Sequence, residues 1–63
     1  MVYCEATIKE PALRDNLRQC IKILGGEPYV HQDVVSVTAT KNESRMIALF
    51  EQFELHSVQI KHS

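Results

Sequence analysis

Pro28-Tyr29-Val30-His31-Gln32-Asp33-Val34-Val35-Ser36-Val37-Thr38-Ala39-Thr40 is the stretch on which the fold turns. From Val34 to Thr40 it is β-rich, with Val35, Val37 and Ala39 on one face, the alternation of a half-buried strand. Upstream, Pro28 to His31 reads as a short separate strand with a tight turn near Gln32-Asp33, and Pro28 suits the first residue of an edge strand. The turn lacks an Asn-Gly or Asp-Gly pair, so one long bent strand is the competing reading.

On the N-terminal side, residues 2–8 alternate: Val2, Cys4, Ala6 and Ile8 point one way, Tyr3, Glu5 and Thr7 the other. Residues 10–24 then switch to helical spacing, with Pro11 at the first helical position and an apolar stripe of Leu13, Leu17, Cys20, Ile21 and Leu24. Lys22 falls in the last turn, and Gly25 is placed as the left-handed residue that ends the helix. On the C-terminal side, Thr40-Lys41-Asn42-Glu43 matches a capping box, with Asn42 an equally good cap. The helix that follows carries Met46, Ile47, Leu49, Phe50 and Phe53, and residues 56–62 form a last strand with Val58 and Ile60 on one side.

With the hairpin accepted, the order is βαββαβ, a ferredoxin-like α+β two-layer sandwich. Right-handed crossovers place both helices on one face of an antiparallel sheet ordered 4-1-3-2. The alternative is a three-stranded βαβαβ sheet. The 63 residues make one domain, spanning 1–63. A domain this small buries only about 60% of its unfolded-chain surface. Its core rarely supplies more than roughly 3–5 kcal/mol, so a disulfide, a metal or a partner chain is the usual supplement.

The charge balance, 7 Lys plus Arg against 8 Asp plus Glu for a net −1, argues against a nucleic-acid partner, whose phosphates usually demand a basic surface. The open sheet face points the same way, because Tyr3 stands alone where RNA-recognition modules place aromatics on both central strands. There is no apolar run of the ~18 residues a membrane span needs. The opening residues lack the pattern of a signal peptide, so a cytoplasmic location with reduced thiols is expected.

No cofactor or metal is expected. Cys4 and Cys20 are separated by 16 residues and His56 and His62 by 6, neither a chelating pair. Both cysteines lie on expected core-facing positions, as small hydrophobes, and His56 and His62 read as solvated histidines flanking a strand. No catalytic set is expected either. A Cys4–histidine pair across the last strand is conceivable, but Cys4 points inward, and Gly25-Gly26 follows a helix instead of opening one.

Ile8-Lys9-Glu10-Pro11-Ala12-Leu13, then Leu17, then Leu24-Gly25-Gly26, resembles the start of an ACT-type regulatory domain over about a third of the chain, with Ala12 where that family has glycine. The resemblance implies βαββαβ topology, side-by-side dimers and small amino-acid-like effectors bound at the interface. From the residues themselves, the expected function is a homodimeric, non-enzymatic interaction module that regulates or inhibits a larger protein. Stand-alone domains of this size are common among phage and mobile-element inhibitors. The expected partner-binding residues are Tyr3, Tyr29 and His31, because exposed aromatics make good interface anchors.

Overall fold

A computed structural model describes residues 1–53 and 55–62 of the chain. The elements run β1 (Val2–Thr7), α1 (Pro11–Ile23), β2 (Tyr29–His31), β3 (Val34–Ala39), α2 (Glu43–Glu51) and β4 (Ser57–His62). The four strands form one antiparallel sheet in the order β2-β3-β1-β4, which is the ferredoxin-like arrangement. The hairpin reading of residues 28–40 therefore holds and the three-stranded alternative does not.

Period-2 patterning sends Val2, Cys4 and Ala6 of β1, and Val35, Val37 and Ala39 of β3, to the side on which both helices lie. There they meet Ile8, Leu17, Ile21, Met46 and Phe50 in one buried cluster. Each large side chain fully removed from water contributes about 1.5–3 kcal/mol. Helix α1 packs on β3, and α2 packs on β1 and β4. Strand β2 lies at the margin of this cover, and all three of its residues are exposed.

Helix α1 begins at Pro11 and ends in a paired terminal motif: Gly26 N–H donates to the Ile21 carbonyl and Gly25 N–H to that of Lys22, both at 2.9 Å. Gly25 takes φ +87°, where a Cβ is disfavoured. Gly26 is required by packing instead, because a Cβ there would lie 2.9 Å from both Ile21 Cγ2 and Met46 Cε.

Of the two caps the sequence offers for α2, the structure takes the second. Asn42, not Thr40, is the N-cap residue; it takes φ 55°, and its side chain makes no capping bond. The Asn42 Nδ2 instead donates to the Leu24 carbonyl at 2.9 Å, and Glu43 reaches the Met1 amino group at 2.9 Å. The end of α1 has drawn the cap side chain across, tying the two helices together. Cys20 also departs from expectation: it is half-buried at the rim of the stripe, its Sγ 3.7 Å from Asn16 Oδ1.

The β2–β3 turn succeeds without glycine. Gln32 takes φ 54°, the positive sign that the primed hairpin turns require at their first central position. The strain at Gln32 is offset from outside the hairpin. Ile8 N–H donates to the Asp33 carbonyl at 2.8 Å. Arg14 Nη1 donates to the Ile8 carbonyl at 2.9 Å and to Asp33 Oδ1 at 3.2 Å. Replacing this guanidinium by an isosteric apolar chain, Arg14→Met, is expected to cost about 1–2 kcal/mol in urea unfolding. The amides of Tyr29 and His31 should lose exchange protection before those of β1; unchanged β2 protection would contradict the role given to Arg14.

Candidate functional site

The sheet register sets out the open face in three rows. One row runs Tyr29, Ser36, Glu5, Gln59; the next His31, Val34, Thr7, Ser57; the third Thr38, Tyr3, Lys61. Tyr29, His31 and Tyr3 thus share one face of the sheet. Tyr29 and His31 are next-but-one neighbours on the edge strand, and Tyr3 stands two strands in, on the order of 10 Å away.

Their exposures differ. Tyr29 is 67% exposed, and His31 is exposed beside it. Tyr3 is half-buried, and its hydroxyl donates to Glu5 Oε1 at 2.8 Å. Ser36, between the two tyrosines, is only 8% exposed although it is on the open face; Tyr29 and Glu5 stand opposite it on either side. The result is a polar face, hydroxyl-bearing at Ser36, Thr38 and Thr7 and charged at Glu5 and Lys61, with Tyr29 and His31 at one corner.

The Tyr3 phenol is raised above its ordinary value, first by its hydrogen bond to the Glu5 carboxylate and then by desolvation, with Ser36 pulling the other way. The Cys4 thiol is raised by burial. A raised thiol is a poor nucleophile. Cys4 lies opposite Val37 and Ile60, so the sheet does not set a histidine across from it.

His56 also departs from the solvated reading: it is half-buried, its ring centroid 6.3 Å from that of Phe53. Among the described residues no three His, Cys, Asp or Glu side chains converge as a metal site would require, and no helix is long and apolar enough to cross a membrane.

Sequence reasoning missed the second side of the edge strand. Val30 lies opposite Val35 and so faces the helix layer, yet it remains 40% exposed. It borders a groove whose other walls are Pro11, Arg14, Asp15 and Arg18 of α1. The signal was present in the alternation of Tyr29-Val30-His31, but only the placement of α1 shows that Val30 is left partly uncovered.

Comparison of this chain with protein-family models, with curated proteins and with solved structures returns no match.

Because the fold holds Tyr3 in its protonated form, the stability this contributes is complete below pH about 10 and is lost as pH rises through the raised value. Alkaline ultraviolet titration of the folded protein should show a late-ionising tyrosine that Tyr3→Phe removes. A titration with no late component, or one that Tyr3→Phe leaves unaltered, would contradict the Tyr3–Glu5 bond.

Proposed function

We propose that this chain is a small non-enzymatic interaction module, homodimeric, which regulates or inhibits a larger protein by docking the open face of its sheet. The observation that carries the reading is the aromatic corner at the sheet margin. Tyr29, 67% exposed, stands with His31 on a three-residue edge strand beside a polar sheet face. A large aromatic ring at an open margin supplies contact area at low conformational cost, the usual character of an interface anchor. Neighbouring Thr38, Gln59 and Thr7 add hydroxyl and amide groups that a partner surface can pair. Burial of the Cys4 thiol supports a structural role for that residue over a nucleophilic one.

A second reading, an ACT-like domain binding a small effector, draws support from the βαββαβ order and from α1 ending at Gly25 with φ +87°. Thermal-shift screening against amino acids separates the two: a reproducible rise of several degrees favours the effector.

The interaction reading is tested by immobilising the wild-type protein, Tyr29→Ser and Thr38→Arg, and exposing each to extract of the native host. A protein retained by the wild type should be identified, purified and titrated. Both variants are expected to weaken its binding at least ~10-fold, the effect of losing an anchor or of an oversized charge in the contact. A partner held equally by all three, or none above the blank, would refute the proposal.

A further inference from the structure

We infer that two copies of this chain join edge to edge through β2, antiparallel and centred on Val30, making one continuous eight-stranded sheet. The inference rests on the homodimeric reading above and supplies its geometry. Hydrogen-bond direction along β2 sets the pairing. A two-residue turn closes on a hydrogen-bonded pair, here His31 opposite Val34, and such pairs alternate along the ladder. The N–H and C=O of Tyr29 and His31 therefore point towards β3, and those of Val30 point away from the sheet. Pro28 and Gln32, two residues to either side, have the same outward phase.

A twofold axis at Val30 makes this edge self-complementary. Val30 N–H of each copy donates to the Val30 carbonyl of the other, and Gln32 N–H donates to the Pro28 carbonyl across the axis. Proline has no N–H to offer, and in this register Pro28 is needed only as an acceptor. Tyr29 of one copy then faces His31 of the other in the closer, non-hydrogen-bonded kind of pair, with Cα atoms about 4.5 Å apart. Four rings gather on the open face at the axis. A cross-strand aromatic pair is among the stabilising contacts of antiparallel sheets.

The helix side agrees. The two Val30 side chains, each 40% exposed alone, meet at the axis and cover one another. The groove beside Val30 is rimmed by Arg14, Asp15 and Arg18. Arg14 is paired with Asp33 at 3.2 Å and Arg18 with Asp15 at 2.9 Å, so the charges of the rim are answered within one chain. The rim therefore brings no field of one sign against a twofold copy, and the self-complementary donors and acceptors of the Val30 edge select a second copy as the occupant. The other sheet edge, β4, is longer but carries Lys61, the kind of residue that blunts an edge against pairing, whereas β2 carries no lysine or carboxylate.

The two copies' Tyr29 and His31 pairs then form the centre of a doubled docking face. Thr38 is left well away from the axis, one row beyond Tyr29 and a strand inward.

Sedimentation equilibrium from about 10 μM to about 1 mM tests this with four proteins. The wild type and Thr38→Arg are expected to approach twice the 7.2 kDa chain mass at the upper end. Val30→Pro removes the central N–H, which makes no bond within a single chain. Val30→Lys sets two like charges at the axis and should raise the dissociation constant at least ~100-fold. Both should stay at the single-chain mass with unchanged circular dichroism. If Val30→Pro does not fold, Val30→Lys decides. A wild type that stays at 7.2 kDa throughout, a Val30→Lys protein as dimeric as the wild type, or dissociation by Thr38→Arg would each overturn the inference. Loss of partner capture with an intact dimer would instead remove only the docking reading.

Discussion

Arg14 reaches from the first turns of α1 to the end of β1 and to the β2–β3 turn. Its Nη1 lies 2.9 Å from the Ile8 carbonyl and 3.2 Å from the Asp33 carboxylate. Ile8 N–H closes the same corner from the other side on the Asp33 carbonyl. These bonds anchor a turn whose own sequence is poor for the job, with a non-glycine residue at φ 54°. Without that anchor, the pairing of β2 on β3 rests on three residues and a turn that lacks glycine. With it, a three-residue strand is held at the margin, its outer edge bare and its side chains alternating between the open face and the groove beside α1. A charge-assisted bond made partly out of solvent is worth more than an exposed ion pair, and the Arg14 side chain is only 21% exposed.

The rest of the molecule is economical in the way small domains must be. One core, formed from β1, β3, α1 and α2, is shared by nearly every large apolar side chain that the chain buries. Gly26 lets the α1–β2 connection pass within contact of Ile21 and Met46, and Asn42 ties the end of α1 to the start of α2. The helices are thereby fixed over β3, β1 and β4, and Val30 is left at their border. The exposed margin is thus a consequence of where the helices can sit, and it gives a chain with a thin stability margin a surface through which a partner can add to it.

Much of this was legible in the residues. Alternation in VYCEAT and VVSVTA and the helical stripe ending at Leu24-Gly25 define elements whose faces are set by periodicity alone, and the structure follows them. What was not legible depends on tertiary partners. Thr40 and Glu43 have the spacing of a capping box, yet Asn42 takes the position because its left-handed backbone is tolerable and its amide is drawn to Leu24. Cys20 fits the stripe by spacing but falls at its rim, and His56 is packed beside Phe53. For the candidate site, alternation placed Tyr29 and His31 on one face, but the partial burial of Tyr3 by its bond to Glu5 and the uncovered inner side of Val30 required the neighbouring elements to be in place.

In the proposed dimer the bare edge of β2 is a pairing surface whose middle donor is the Val30 amide. Hydrogen exchange at that single amide, followed by NMR at concentrations on either side of dimerisation, tests it most directly. Rapid exchange is expected in dilute protein, where the N–H points to water, and marked slowing as concentration rises, with the Tyr29 and His31 amides protected throughout. A Val30 amide that exchanges at one rate across the whole range would contradict it.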